Sequence, residues 1–303
     1  MTYDVIIVGA GPAGLTAAIY AKRAELSALL IERYGAGGQI NNTYEVDNYP
    51  GLPGIGGFDL GQKMSEHVDK FKCERVTAEV LSMDLAGDTK IVKTDEGDFA
   101  GRCVILSSGN SPRQLGIPGE EELTGCGVSY CATCDGAFFK NRETVVIGGG
   151  DVAVEDAIFL ARGCSKVYLV HRRNELRAAK TLQTALFKLS NVEVLWDSIP
   201  VKINGEDQVE SLTVKNTKTE EARDIPVAGV FVAVGNNPNA SYIEGLEADK
   251  AGFIVADETC VTNIPGVFVA GDLRTKQLRQ VSTAVADGAN AICSAQNYLN
   301  GNI

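Results

Sequence analysis

A strand, a glycine-rich turn, a helix and a second strand occur in this order twice in the chain, at a fixed offset. Asp4-Val5-Ile6-Ile7-Val8 runs into Gly9-Ala10-Gly11-Pro12-Ala13-Gly14, and Glu32 stands 18 residues after Gly14. Thr144-Val145-Val146-Ile147 runs into Gly148-Gly149-Gly150-Asp151-Val152-Ala153, and His171-Arg172-Arg173 begins 18 residues after Ala153. Every landmark moves by 139 positions, and only the character of the residue at the end of the second strand changes. Short apolar runs beside glycine turns mark buried parallel strands.

The duplication predicts an α/β fold with two Rossmann-like (three-layer ββα) domains, the second inserted into the first. Helices are expected over Ala17–Lys22, Phe58–Phe71, Val152–Arg162 and Ser282–Leu299, strands over Ser27–Ile31 and Lys166–Val170, and a strand with its tight turn over Val267–Asp272, with several short strands in 75–108. A second echo marks the joints. Val104-Ile105-Leu106-Ser107-Ser108-Gly109-Asn110-Ser111-Pro112 resembles Val230-Phe231-Val232-Ala233-Val234-Gly235-Asn236-Asn237-Pro238, each an apolar strand ending in turn chemistry. Residues 113–240 are therefore expected to form the inserted domain. The last 63 residues are too few for a comfortable core of their own and complete the first domain, 1–112 with 241–303.

At 303 residues, 45% hydrophobic and 22% charged, the chain has the composition of a globular protein. A net charge of −11 argues against nucleic acid and against an anionic membrane surface. The apolar start lacks a basic amino end, and the glycine pattern explains it better than a secretion signal does. No apolar run reaches bilayer length. A cytoplasmic enzyme is the expectation.

In turns of this kind the first glycine permits the bend, the second admits a pyrophosphate, and the third lets helix and strand pack closely. The helix start supplies N–H groups to the anion. Glu32 can accept hydrogen bonds from ribose hydroxyls and repels a 2′-phosphate, as suits FAD or NAD. His171, Arg172, Arg173 and Arg177 place basic groups at the equivalent point, and arginine forks match phosphate oxygens. The second site is thus expected to prefer NADPH.

Cys131-Ala132-Thr133-Cys134 lies just before the second copy. C-x-x-C beside a βαβ pattern supports a redox disulfide. The rival is a metal: Cys126, Cys131 and Cys134 open an iron–sulfur-like spacing, but a fourth ligand is missing nearby, and His67 and His171 are the only histidines. No metal is expected. Six cysteines (Cys73, Cys103, Cys126, Cys164, Cys260, Cys293) lie outside the pair and read as inert positions. Asp135 follows Cys134 directly. A carboxyl buried there could serve as acid/base; a helix cap or turn former is the local alternative.

These residues closely resemble the low-molecular-weight, bacterial-type thioredoxin reductase family of pyridine nucleotide-disulfide oxidoreductases. Beyond the fingerprints, the match includes Gly37-Gly38-Gln39, Glu45-Val46-Asp47-Asn48-Tyr49-Pro50-Gly51, Cys131-Ala132-Thr133-Cys134-Asp135-Gly136, His171-Arg172-Arg173-Asn174-Glu175-Leu176-Arg177, and Gly271-Asp272 with Arg279-Gln280. The resemblance implies that FAD is held by Gly9, Gly11, Pro12, Ala13, Gly14, Glu32, Gly38, Gln39, Asn48, Gly271, Asp272, Arg279, Gln280 and Val281. It implies that Gly148, Gly150, Asp151, Ala153, His171, Arg172, Arg173 and Arg177 hold NADPH. Asp151 stands where Asn or Ser is common. In the same reading Cys134 lies against the flavin, Cys131 attacks a thioredoxin disulfide, Asp135 is the acid/base, and the enzyme is a homodimer. The disulfide and the nicotinamide site share one domain and each must reach the flavin, so the linkers at 110–112 and 236–238 are expected to act as hinges. A ferredoxin-driven reductase, a flavoprotein reductase of another thioredoxin-like protein, the flavoprotein of a peroxide-reducing system (expected to carry an extra amino-terminal dithiol domain, whereas this chain starts at its fingerprint) and a non-enzymatic nucleotide sensor are the alternatives.

Overall fold

The structure, a computed structural model, describes residues 1–43 and 45–301. Internal contacts divide the chain into two compact units, Met1–Ser111 with Asn237–Ile303, and Pro112–Asn236. Along the chain, β1 (Thr2–Val8), α1 (Pro12–Arg23), β2 (Ala28–Glu32), α2 (Gly57–Lys70), β3 (Glu74–Thr77), β4 (Val80–Asp84), β5 (Lys90–Thr94) and β6 (Gly97–Leu106) precede the first linking segment, β7 (Asn110–Pro112). Then come β8 (Val128–Ser129), α3 (Ala132–Asp135), β9 (Glu143–Gly148), α4 (Asp151–Leu160), β10 (Lys166–Val170), α5 (Lys180–Leu186), β11 (Val192–Leu195), β12 (Ser198–Asn204), β13 (Ser211–Asn216), β14 (Ala222–Pro226) and β15 (Gly229–Ala233). The second linking segment, β16 (Asn236–Pro238), pairs with β7, and β17 (Val267–Val269) and α6 (Val281–Leu299) follow.

In the first unit β3-β2-β1-β6-β17 form a parallel sheet with the fingerprint strand β1 at its centre. β6 serves twice. Its first half, Gly97–Gly101, pairs antiparallel with β5, and Val104–Leu106 pairs with β17. The pleat sends successive residues into different cores. Val5, Ile7, Leu30, Ile105 and Phe268 pack under α1 and α6. Ile6, Val8, Leu29, Ile31, Val104 and Val269 pack on the other face, with Met83 and Val92 of the antiparallel strands. Burial on both faces is why these strands read as unbroken apolar runs.

The second unit repeats the plan: β11-β10-β9-β15-β8 are parallel, with the fingerprint strand β9 again central. Val146, Val167, Leu169 and Phe231 face α4 and α5. Val145, Ile147, Val170 and Val232 face Ile203, Leu212, Val214 and Ile225 of the antiparallel layer β12-β13-β14. Each unit is thus a helix layer, a parallel sheet and an antiparallel strand layer. The helix expected over Val152–Arg162 starts and stops earlier. Its last turn tightens, with Arg162 N–H donating to Phe159 O and Gly163 N–H to Leu160 O. Among the described residues no helix is long and apolar enough to cross a membrane.

Candidate active site

In the first unit the three fingerprint glycines do different work. Gly9 has a φ of +101°, and a Cβ there would lie 2.5 Å from Ser107 O, so only glycine lets β1 end against β6. At Gly14 a Cβ would overlap the carbonyl oxygen of Gly9, where helix and strand meet. Gly11 is unlike both. It has a φ of −74°, and nothing lies within 4 Å of where a Cβ would stand, so neither conformation nor packing demands glycine. α1 begins with Pro12 and has no side-chain cap, which leaves its first N–H groups to some other acceptor. Buried Ala13 follows, and a Cβ on Gly38 would come 3.1 Å from the Gly11 Cα, so Gly38 lies over the same turn.

The acid at the end of β2 is tied to this turn. Glu32 Oε2 accepts from Ala10 N–H at 2.6 Å, and Oε1 accepts from Arg33 N–H at 2.8 Å and Tyr34 N–H at 3.1 Å. The Gln39 amide donates to Asn110 O and, at 3.0 Å, to Asn110 Oδ1. Asn48 Nδ2 donates to Gln280 Oε1 at 2.9 Å. Gln280 also caps α6 reciprocally with Thr283, just before Val281, and the Arg279 guanidinium lies 4.0 Å over the Phe253 ring. After β17, Gly271 turns the chain and Asp272 follows with a buried carboxyl. Its Oδ1 has no hydrogen-bond partner among the described residues, and burial pushes its pKa up. A cradle with room at Gly11, an uncapped helix start, a carboxylate at Glu32 that takes three backbone N–H donors and keeps acceptor capacity, and an orphaned buried carboxyl at Asp272 fit a dinucleotide with pyrophosphate and hydroxyl groups.

One buried polar cluster of this unit lies outside the motifs. Asp287, in the middle of α6, accepts from Gly271 N–H at 2.9 Å, Arg274 Nε at 2.9 Å, Arg274 Nη2 at 2.8 Å and Lys276 Nζ at 2.7 Å. Asp287 and Arg274 are 1% and 3% exposed. Together they pin the Gly271–Asp272 turn to the helix. The sequence carries a faint sign: Asp287 falls three residues after Ala284 and four before Ala291, on the buried stripe of α6.

The second fingerprint keeps the same division. A Cβ on Gly148 would lie 2.5 Å from both Ala153 Cβ and Ala233 O, whereas Gly150 has nothing within 4 Å. Buried Ala153 takes the place of Gly14. A Cβ on Gly149 would overlap the His171 ring. His171 is buried, with Nδ1 2.9 Å from Gly148 O and Nε2 2.9 Å from Glu175 O. It braces the basic segment from inside. Arg177 N–H donates to Gly149 O at 2.8 Å, and Asp151 Oδ1 accepts from Ala179 N–H at 2.7 Å. These bonds lace residues 171–179 onto the turn. Arg172, Arg173 and Arg177 are exposed, and their guanidinium groups have no ion-pair partner among the described residues.

Cys131 and Cys134 form a disulfide at the start of α3, with their Cα atoms 5.3 Å apart. Gly136 seats this segment on α4, since a Cβ there would come 2.8 Å from Leu160 Cδ2. Asp135 closes α3. Burial raises its pKa, opposed by a hydrogen bond from Ser129 Oγ to its Oδ2 at 2.6 Å, and Oδ1 is buried with no partner among the described residues. Ser129 was not marked by any motif. Of the other cysteines, Cys73, Cys103, Cys164 and Cys260 are buried, and burial pushes the Cys103 and Cys260 thiols up to about 12, which removes them as nucleophiles. Cys126 and Cys293 are exposed.

Residues 3–288 match the family described as pyridine nucleotide-disulphide oxidoreductase. A thioredoxin reductase of Peptoclostridium litorale is 46% identical over 305 residues, which cover 98% of this chain and 97% of the relative. A thioredoxin reductase of Bacillus subtilis (strain 168) is 44% identical over 299 residues, covering 98% of this chain and 95% of the relative. The crystal structure of the thioredoxin reductase from Streptococcus pyogenes MGAS5005 superposes with a TM-score of 0.94 at 45% identity, over 99% of each chain. With a redox disulfide ahead of its second nucleotide fingerprint, this chain belongs to the pyridine nucleotide-disulphide oxidoreductase family, in the thioredoxin reductase branch.

Proposed function

We propose that this chain is an NADPH-dependent, FAD-containing reductase of thioredoxin. The observation that carries the reading is the Cys131–Cys134 disulfide, with the buried Asp135 carboxyl held beside it, in a unit whose nucleotide turn ends in three unpaired arginines. FAD would be held in the first unit by the α1 start at Gly11 and Pro12, by Glu32 toward the ribose, and by the orphaned Asp272 carboxyl. When bound, FAD supplies two-electron exchange between a nicotinamide and a disulfide. NADPH would be held by the α4 start at Gly150, with Arg172, Arg173 and Arg177 on the 2′-phosphate. Glu32 repels a phosphate at the corresponding point, which separates the two nucleotides.

In the thioredoxin half-reaction the Cys131 thiolate attacks one sulfur of the thioredoxin disulfide, forming a mixed disulfide as the substrate bond breaks. The Cys134 thiolate then attacks Cys131 Sγ and restores the enzyme disulfide. Two electrons leave the enzyme dithiol, and the two released thiolates take protons, a transfer we assign to the Asp135 carboxyl on the strength of its partnerless Oδ1 and its position next to Cys134. A nicotinamide nucleotide held at Gly150 would share the inserted unit with the disulfide, and both would have to reach a flavin held by the first unit, so we assign the hinge to linkers β7 and β16. A cytoplasmic homodimer is the form we infer, to be tested by sedimentation.

Anaerobic titration with NADPH tests the reading. Flavin and disulfide together should take about two equivalents, and Cys131→Ser should take about one. If NADPH leaves the flavin oxidised while a chemical reductant bleaches it, the donor is another reductant such as ferredoxin.

A further inference from the structure

We propose that Ser129 is a positioning residue for the proton transfer of dithiol exchange, its hydroxyl holding the Asp135 carboxyl in register with Cys131. The inference rests on the reading of the Cys131–Cys134 pair and Asp135 given above. Ser129 is buried at the end of β8, in register with Phe231 of β15, and so belongs to the parallel sheet. Its Oγ donates to Asp135 Oδ2 at 2.6 Å and accepts from Cys131 N–H at 3.0 Å. Cys131 O lies 3.3 Å away, a weaker contact for a hydroxyl whose one proton is already given to the carboxylate.

α3 is a single turn of four residues, too short to fix its own last side chain. The Ser129 hydroxyl supplies that constraint. It ties the acid at one end of the turn to the backbone of the attacking cysteine at the other, and anchors both to the sheet. It also occupies Oδ2 alone and leaves Oδ1 to exchange a proton. Burial raises the Asp135 pKa and the Ser129 bond lowers it, so loss of the hydroxyl moves that titration to higher pH.

Among the described residues, the elements packed most closely against α3 are the turn Gly136–Phe139, which has no ionisable side chain, and α4. α4 carries Asp151, Glu155 and Asp156. Asp151 is engaged with Ala179 N–H and Glu155 is exposed. Asp156, its pKa pushed up to about 7 by burial and by Glu155, is the group that could be mistaken for Asp135.

The test is stopped-flow reoxidation of the pre-reduced, FAD-loaded enzyme by oxidised thioredoxin across pH, with Ser129→Ala, Ser129→Thr, Asp135→Asn and Asp156→Asn. Ser129→Ala should slow exchange about tenfold, the loss of one hydrogen bond to a charged group. Its pH limb should move up, reduction by NADPH should keep its rate, Ser129→Thr should restore exchange, and Asp156→Asn should leave the limb in place. Exchange at the wild-type rate with an unmoved limb in Ser129→Ala overturns the proposal. So does a pH-independent loss that Thr does not restore, since that assigns Ser129 a purely structural role. A limb abolished by Asp156→Asn also overturns it. Wild-type exchange in Asp135→Asn instead refutes the acid/base reading itself, and the proposal falls with it.

Discussion

Removing the carboxylate of Asp287 should do more damage than any other single change in the first unit outside its nucleotide turn. Asp287→Ala leaves Arg274 and Lys276 as cations with side chains 4% and 5% exposed, and it strips Gly271 N–H of its acceptor. Breaking a buried ion pair from one side costs about 3–5 kcal/mol, chiefly because the surviving charge stays desolvated. The exposed Glu258 carboxylate, 3.6 Å from Arg274, is too well solvated to compensate. In a unit of this size each kcal/mol lowers a melting midpoint by about 2–4 °C, so the first unit should melt about 10 °C early.

Flavin release on heating, followed by fluorescence, reports this unit separately, and circular dichroism of flavin-stripped protein shows how much of the loss belongs to the chain alone. Replacing both partners (Arg274→Leu with Asp287→Leu) should cost less than the two single changes together, because the pair then disappears from both sides. The pH dependence has a definite sign. Burial works against the Asp287 charge, but hydrogen bonds from Arg274 and Lys276 outweigh it and hold the carboxyl below its usual range. The stabilisation is therefore complete above the unfolded carboxylate pKa of about 3.9 and is lost as pH falls through the lower folded value. A midpoint for Asp287→Ala within about 2 °C of wild type would refute the argument.

Gly11→Ala should leave the flavin-free melting midpoint within about 1 °C, because the site has room and a φ open to alanine, yet raise the FAD dissociation constant at least about tenfold. Gly14→Ala, which drives a Cβ into the Gly9 carbonyl, should instead fail in folding; equal effects of the two changes in calorimetry and flavin binding would contradict this division. Arg172→Gln with Arg173→Gln should raise the KM for NADPH by about 10- to 100-fold and leave that for NADH nearly unchanged, read in steady-state assays. Equal losses with both nucleotides would place the arginines elsewhere than on the 2′-phosphate.

The parallel sheets were legible because burial on both faces gives continuous apolar runs, and the glycine turns supply their punctuation. Glu32 and the unpaired arginines could be located from spacing alone, since a strand–helix–strand unit fixes how far the second strand end lies from the turn. What spacing does not carry is side-chain partnership across long separations. Ser129 is one serine in a two-residue strand, and its link to Asp135 exists only because α3 folds back over it. Asp287 meets Gly271 across 16 residues and Arg274 across 13, through the packing of α6 on the turn after β17. The acidic residue on an apolar stripe was visible, but not its partners.

The two copies also show why sign at a strand end is an incomplete guide to which residue meets the nucleotide. In both, the residue at the end of the second strand (Glu32) or just past it (His171) ties that strand to the glycine turn. In the first copy the turn presents an N–H, that of Ala10, so an acceptor is required and Glu32 provides it. In the second the turn presents the Gly148 carbonyl to an imidazole nitrogen. A carboxylate has about four acceptor positions, and three backbone N–H groups take three of those on Glu32, so one remains for a ribose hydroxyl. An imidazole has two nitrogens, and each of those on His171 lies 2.9 Å from a backbone carbonyl oxygen, Gly148 O or Glu175 O, so neither is open to a ligand. Glu32 can thus brace the turn and bind at once, whereas His171 can only brace. In the proposed reading, contact with the 2′-phosphate would pass to the next residues, Arg172 and Arg173, whose guanidinium groups remain exposed. A His171→Asn variant should accordingly lose affinity for NADPH and NADH alike, by letting the whole turn move, where the arginine variants discriminate between them. Nucleotide titrations that instead showed His171→Asn selective for NADPH would return the imidazole to the phosphate.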